Sequence, residues 1–203
     1  MSLITFVELC EKIAGGLLQA PSSNPPPFNK IPIGHINGAS VDVRLGQVFL
    51  RESPPDAVSL RPNNYVTLFN KGELPMVKET LAWGERFYLQ PGEFILAQTV
   101  EEFYLPNDIA AEFRLKSSVA RAGLDQALAV WCDPGWNNSV LTIELRNNTR
   151  YHVLVLEAGM KIGQVVFFKG EPVPDEASYA VRGQYNNDKI VTGNKGVKKN
   201  VTN

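Results

Sequence analysis

The chain has 203 residues, of which 44% are hydrophobic and 20% charged, with 20 basic and 21 acidic side chains. This length is enough for one domain with a sizeable core. The formal net charge of −1 argues against a broad nucleic-acid-binding surface, although it leaves room for a small basic pocket. Two cysteines imply no disulfide framework, which makes a reducing cytoplasm the expected location. The longest apolar runs fall well short of the about 18 residues of a transmembrane helix, and the first residues lack the basic region of a signal peptide.

The first predicted element is a short helix in the stretch TFVELCEKIAGG. Thr5 and Glu8 have the spacing of a capping box, and Gly15-Gly16 are expected to end the helix. Four apolar residues share one face of this helix: Phe6, Leu9, Cys10 and Ile13. The proline-rich stretch APSSNPPPFNKIP follows, and it can be neither a helix nor a central strand.

From about Gly38 onward, short apolar runs alternate with Pro, Gly and Asn turns. The runs are SVDVRLGQVFL, YVTLF, RFYLQPGEFILAQTV, VLTIELRNN, HVLVLEAG and KIGQVVFF. Many short strands with such punctuation predict a mainly β fold, a distorted barrel or jelly roll. After Phe168 the chain becomes polar, which predicts a tail that is mobile unless something orders it. We therefore expect a single domain, with a helix and connector in 1–35, a β core in 36–168 and a tail in 169–203.

The predicted strand VLTIELRNN contains one residue that stands out. Its apolar residues alternate as in a strand with one buried face, and Glu144 lies on the opposite face. Glu144 is either an ordinary solvated strand residue or a carboxylate placed for chemistry, and this stretch alone leaves both interpretations open.

The usual catalytic motifs do not occur in this sequence. Zinc sites need three or four ligands at workable spacing, whereas the histidines and cysteines here are isolated at His35, His152, Cys10 and Cys132. No P-loop or Rossmann glycine motif is present, and two scattered histidines give little support to a Ser-His-Asp triad. The remaining acid–base candidates are carboxylates.

The densest polar cluster lies in FRLKSSVARAGLD, where Lys116, Ser117, Ser118 and Arg121 place two cations and two hydroxyls within six residues. Small residues around them leave the backbone open, so the cluster is either a phosphate-binding surface or the first turn of a helix, capped by a serine and carrying solvated charges. A second stretch, CDPGWNN, predicts a tight turn. Its Trp136 is either a core residue or a stacking surface.

The order of these pieces resembles the dCTP deaminase family, which belongs to the trimeric dUTPase superfamily. The matching stretches are INGASVDVRLGQVF, LKSSVARAGL, DPGWNNSVLTIELRN and EAGMKIGQVVFF. The resemblance runs from about Ile36 to Phe168. It implies a dUTPase-like barrel or jelly roll, with a C-terminal lid.

The resemblance also implies roles for individual residues. Glu144 corresponds to the glutamate that activates water, Arg121 to the arginine that positions this water, and Ser117 to the hydroxyl that orients it. Substrate-binding roles are implied for four others: Lys116 and Ser118 for phosphate, Asp133 for the deoxyribose 3′-hydroxyl and Trp136 for the sugar. Tyr179 in the tail is expected to contact phosphate. Mg²⁺ is expected to be bound through the nucleotide triphosphate, without zinc and without a protein metal site. The implied assembly is a homotrimer with active sites between subunits, and closure by a neighbour would raise the pKa of Glu144.

The chain departs from the family pattern at several positions. Lys116 replaces an arginine, which keeps the charge but loses bidentate geometry. The segment before Asp133 is one residue shorter than usual, and one extra residue is expected near Asn137-Asn138. In the tail, Gln184 and Asp188 stand where lysine and a base-reading glutamine are usual.

Three functions follow as hypotheses. The first is zinc-independent deamination of dCTP to dUTP and ammonia. The second is a bifunctional deaminase and diphosphatase, or a plain dUTPase, that yields dUMP and pyrophosphate. The third is a non-catalytic nucleotide-binding homologue, suggested by the departures from the family pattern.

Overall fold

The structure, a computed structural model, describes residues 1–53 and 74–196. These ranges contain thirteen strands: β1 Ser2–Leu3, β2 Leu18–Gln19, β3 Val41–Arg44, β4 Val48–Glu52, β5 Met76–Thr80, β6 Arg86–Leu89, β7 Phe94–Tyr104, β8 Ile109–Leu115, β9 Leu124–Gln126, β10 Trp131–Cys132, β11 Asn137–Asn147, β12 Leu154–Glu157 and β13 Lys161–Lys169. They also contain three helices, α1 Phe6–Ala14, α2 Ser117–Arg121 and α3 Tyr179–Arg182, and two 3-10 turns, Ile33–His35 and Asp175–Ala177. The predicted strand YVTLF, residues 65–69, lies outside the described residues.

The strands form two larger sheets and one small one. The first sheet has the order β1-β13-β8-β10, with β3 also paired to β13. The second has the order β5-β4-β7-β11-β9, with β2 also paired to β7, and β12 pairs with β6. The pairs between these strands are antiparallel. The described sheets do not close into a barrel, and the arrangement is that of a jelly roll, so the predicted mainly β fold of the jelly-roll type is confirmed.

The centre of the second sheet is the pair of eleven-residue strands β7 and β11. The alternation predicted for β11 is present, because Leu141, Ile143 and Leu145 point into the main core. The same core includes Leu9 of α1 and Leu18 of β2, so the N-terminal segment packs against the sheets. The division into 1–35, 36–168 and 169–203 stays a prediction.

The first helix has nearly the predicted bounds, but not the predicted cap. Thr5 is the N-cap residue, yet its side chain makes no capping hydrogen bond. Only Leu9 of the predicted apolar face is buried, whereas Phe6 is exposed. The chain before α1 is held by other contacts: β1 pairs with β13, and Phe6 N–H donates to the Gly38 carbonyl. No helix in the described ranges is long and apolar enough to cross a membrane.

A buried ion pair fastens the proline-rich connector to the sheets. Arg44 Nε lies 2.7 Å from Glu101 Oε1, and both side chains are almost fully buried. The same guanidinium donates to the carbonyls of Pro27 at 2.9 Å and Lys30 at 2.9 Å. Two carbonyls of a connector that cannot join a sheet are thus satisfied by one buried arginine.

Candidate active site

A cavity of about 450 Å³ lies between β11, the turn before it and the C-terminal tail. Apolar side chains form one wall: Met76, Phe94, Leu96 and Trp131. Polar groups of Asp133, Thr142, Glu144 and Asp188 converge on the same space. A mostly apolar cavity with a few convergent polar groups is the usual form of a small-molecule site.

Glu144 lies in the middle of β11, opposite Leu96 of β7. The strand alternation turns its neighbours Ile143 and Leu145 into the core, so Glu144 faces the cavity. The side chain is half-buried, and this burial raises the pKa of the Glu144 carboxyl, which its own backbone N–H only partly offsets. A carboxyl group with a raised pKa can take a proton from water and return it within one cycle.

The turn before β11 carries Asp133 and lies in contact with the C-terminal tail. Asp133 accepts a hydrogen bond from Trp131 Nε1 at 2.9 Å and lines the cavity. Gly135 has a φ of +85°, and a Cβ there would overlap the hydroxyl of Ser178. Glycine is therefore required both by the backbone conformation and by the close approach of the tail.

Trp136 lines the cavity with a ring that is mostly buried. It is 6% exposed and packs in a tilted arrangement against Phe103, with ring centroids 5.1 Å apart. Its indole Nε1 donates to the Tyr185 carbonyl of the tail at 2.8 Å. The core alternative for Trp136 is thus correct, and the residue also lines the cavity. Its use as a stacking surface stays a prediction.

The extra residue expected near Asn137-Asn138 coincides with a β-bulge. Asn137 pairs with Tyr104 and Ser139 with Phe103, which leaves Asn138 unpaired at a φ of 55°. Its side-chain amide donates to Asn187 of the tail at 2.7 Å. The bulge therefore supplies the groups that hold the tail, consistent with bulges re-aiming side chains beside functional sites.

The described part of the tail packs against the sheets. Ser178 and Val191 are buried, and Val140 N–H donates to the Asp188 carbonyl at 2.8 Å. Tyr179 N–H donates to the Pro134 carbonyl at 3.0 Å, and the Tyr179 side chain lines the cavity. A tail held this closely differs from the loose segment that composition suggested, although its opening and closing stay a prediction.

The predicted phosphate-binding group lies elsewhere on the chain. Ser117, Ser118 and Arg121 belong to the five-residue α2 and are exposed, and neither they nor Lys116 line the cavity. Lys116 is the N-cap residue of α2, without a side-chain cap. The alternative interpretation is therefore right about the helix start and its exposed charge, but wrong about a cap formed by a serine.

The structure thus gathers Glu144, Asp133, Trp136 and Tyr179 around one cavity and leaves the α2 group outside it. Sequence reasoning missed Thr142, which has the same strand parity as Glu144 and could have been found from the alternation. It also missed the position of Asp188, whose two carboxylate oxygens each lie 2.7 Å from Lys195 Nζ. No pattern in the sequence signals that pairing.

Within residues 1–53 and 74–196, no group of three or more His, Cys, Asp and Glu side chains could hold a metal ion. The two acidic residues of the cavity floor and turn, Glu144 and Asp133, do not form a protein cage for Mg²⁺. An Mg²⁺ ion carried by the nucleotide and the absence of zinc both stay predictions.

Comparison with known proteins gives consistent results. A family model described as dCTP deaminase-like matches residues 22–170. The dCTP deaminase, dUMP-forming, of Dictyoglomus turgidum is 35% identical over 166 residues, which cover 81% of this chain and 82% of that protein. The dCTP deaminase of Haloarcula marismortui is 34% identical over 149 residues, which cover 73% of each.

One solved structure supports the fold. The crystal structure of 2′-deoxycytidine 5′-triphosphate deaminase from Agrobacterium tumefaciens matches 83% of this chain with a TM-score of 0.58 at 18% sequence identity. The match covers 49% of that chain, so this protein spans about half its length. The similarity in fold, the family model and the sequence identities agree, and the chain belongs to the dCTP deaminase-like family.

Proposed function

We propose that this protein hydrolyses dCTP to dUTP and ammonia without zinc. The observation that carries the proposal is Glu144, a half-buried carboxyl group with a raised pKa in the wall of a cavity of about 450 Å³. The carboxylate takes a proton from water as its oxygen attacks C4 of cytosine. Glu144 passes this proton to N3. It then takes the second proton from the C4 hydroxyl of the tetrahedral intermediate and gives it to the amine, which leaves as ammonia as the C4–N bond breaks and the C4 carbonyl forms.

The nucleoside would lie against the turn and the tail. Asp133 accepts a hydrogen bond from the deoxyribose 3′-hydroxyl, and the buried Trp136 ring packs against the sugar. Tyr179 reaches the phosphates from the tail. All three side chains line the same cavity as Glu144, which supports a common ligand.

The described lining of the cavity lacks cations for a triphosphate. None of the described residues that line it is a lysine or an arginine, whereas Asp133, Glu144 and Asp188 are all acidic. Phosphate groups need cations and hydroxyl or amide donors. We propose that α2 of a second copy supplies them, with Lys116 and Ser118 for phosphate and with Ser117 and Arg121 toward the attacking water.

The proposed assembly is a homotrimer with three such shared sites, because a head-to-tail contact that closes into a ring repeats one site at each interface. Mg²⁺ would enter with the triphosphate and neutralise part of its charge. No step of the deamination requires a metal ligand from the protein.

The first experiment replaces the proposed acid–base group. E144Q should lower ammonia release from dCTP by at least about a hundredfold, because an amide cannot transfer protons. Binding of dCTP by calorimetry should stay measurable. The exposed Glu171 offers a matched control, and E171Q should keep full activity. Full activity of E144Q would overturn the assignment.

A second experiment tests whether the site is shared between copies. E144Q and R121M should each be inactive. When the two variants are mixed by refolding, up to about a quarter of the interfaces should combine the wild-type Glu144 of one copy with the wild-type Arg121 of the next, and these interfaces should be active. A site built within one chain would regain none. Arg121 is exposed, so its replacement leaves the core intact.

A second candidate function is deamination followed by hydrolysis to dUMP and pyrophosphate. The relative from Dictyoglomus turgidum, named as dUMP-forming, favours this candidate. Incubation with dCTP or dUTP and Mg²⁺ separates the two, because only the bifunctional enzyme releases pyrophosphate. Nucleotide binding without turnover of either substrate would instead support the non-catalytic hypothesis.

A further inference from the structure

We propose that Lys161 is a further triphosphate-binding residue, which acts beside Lys116 on the surface that carries α2. The proposal rests on the proposed function, since it concerns how the phosphates of the nucleotide are held. Lys161 lies at the start of β13, far along the chain from the α2 motif, and the resemblance to the family gives it no role.

The geometry begins with one nearly buried carboxylate. Asp42 of β3 has a side chain only 4% exposed. Its Oδ1 accepts from Lys116 Nζ at 2.7 Å, and its Oδ2 accepts from Lys161 Nζ at 3.0 Å. Each oxygen thus holds one ammonium group, which places the two cations side by side.

The backbone fixes this pairing. Lys116 N–H donates to the Ile162 carbonyl at 3.2 Å, directly beside Lys161. Along the β8–β13 pair, Leu115 lies opposite Gly163. The start of α2 and the start of β13 therefore cannot separate without loss of sheet pairing.

The charges leave a surplus of cation. Two ammonium groups share one carboxylate, so this cluster carries one uncompensated positive charge. Burial alone would raise the pKa of Asp42, but the hydrogen bonds and charges of Lys116 and Lys161 outweigh it and hold the pKa below its usual value. Asp42 therefore stays ionised and continues to hold both lysines at neutral pH.

The remaining donors are available to a ligand. Each ammonium has three N–H groups, and one bond to Asp42 leaves two free. The side chains of Lys116 and Lys161 are 30% and 40% exposed. Lysine at position 116 lacks the bidentate N–H donors of an arginine. Lys161 offers a second set of N–H donors on the same surface.

The test compares two lysines of one strand. Lys169, at the other end of β13, is 44% exposed and lies 3.7 Å from Glu8, so K169M controls for loss of a surface cation and its pair. K161M should weaken binding of inorganic tripolyphosphate and of dCTP by about tenfold, as expected for one charge-assisted contact. Binding of deoxycytidine should not change, because it carries no phosphate. K161R should restore binding to within about threefold of wild type.

The outcomes distinguish this proposal from the proposed function. Tripolyphosphate binding that weakens in K161M but not in K169M supports the role of Lys161, even if dCTP is never deaminated. Equal binding in K161M and K169M overturns it, even if the wild type is an active deaminase. Equal losses for deoxycytidine and dCTP in K161M also overturn it, since they indicate general structural damage. Thermal unfolding of each variant checks that the fold is retained, and K161Q serves as the second neutral variant if K161M is unstable.

Discussion

Val191 is the main apolar anchor of the tail, and V191A tests how strongly the tail is held. Its side chain is 3% exposed and packs with Val48 of β4 and Leu96 of β7. Its backbone N–H donates to Gln98 Oε1 at 2.8 Å, a bond that alanine keeps. The substitution therefore removes apolar contact alone.

The magnitude follows from the buried groups. Two methyl groups at about 0.8 kcal/mol each, with a contribution from the small cavity left behind, amount to about 2 kcal/mol. If the tail opens as a unit, this difference raises the population of the open tail by about thirtyfold. The sheets beneath keep their pairing.

Hydrogen exchange of one amide provides the assay. Val140 N–H belongs to β11 but donates to the Asp188 carbonyl of the tail, so its exchange rate reports tail opening. V191A should accelerate this amide by about thirtyfold and leave the Ile143 amide of the β7–β11 pair unchanged. The matched control is V181A, because Val181 of α3 is 62% exposed and loses the same two methyl groups. Equal exchange of the Val140 amide in V191A and V181A would refute the reasoning.

Two further predictions concern the tail and the catalytic group. Truncation after Phe168 should leave the assembly intact by size-exclusion chromatography but lower deamination by orders of magnitude, and unchanged turnover would leave the tail without a catalytic role. Because burial raises the pKa of Glu144, the folded protein is destabilised as pH rises from the ordinary glutamate range through the raised pKa. E144Q should therefore have a higher Tm than wild type at about pH 8, and the difference should vanish near about pH 4. A Tm difference that is the same at both pH values, or that E171Q reproduces, would contradict this.

The strands were predictable because burial imposes a pattern on them. Leu141, Ile143 and Leu145 alternate in the sequence and lie in the core, which fixes the direction of Glu144. The bulge at Asn138 lies where an extra residue was expected, and an insertion in a paired strand would be accommodated as such a bulge.

The position of the tail was not predictable, because composition counts apolar side chains and not specific hydrogen bonds. Asn186 accepts from Asn137 N–H at 2.9 Å and donates to the Tyr179 carbonyl at 3.0 Å. Each bond is modest in free energy, but together with Val191 they offset the ordering of a polar segment. Asparagines in a tail look the same in sequence whether they are solvated or paired.

The ion pair of Lys116 with Asp42 was equally unpredictable, because the two residues are 74 positions apart and no local sequence pattern indicates the contact. Distance along the chain is also a poor guide to the two parts of the proposed site. Glu144 follows Arg121 by only 23 residues in the sequence, yet β9 and β11 carry it to a different surface from α2. The cavity around Glu144 presents carboxylates without lysine or arginine among its described lining residues, whereas the α2 surface presents Lys116, Lys161 and Arg121. Deamination of a triphosphate nucleotide needs a desolvated carboxyl group near the base and cations near the phosphates. When the carboxyl group and the cations lie on separate surfaces, they do not form ion pairs with each other within one chain. Bringing two copies together would complete the site, which makes assembly a condition for catalysis in the proposed mechanism.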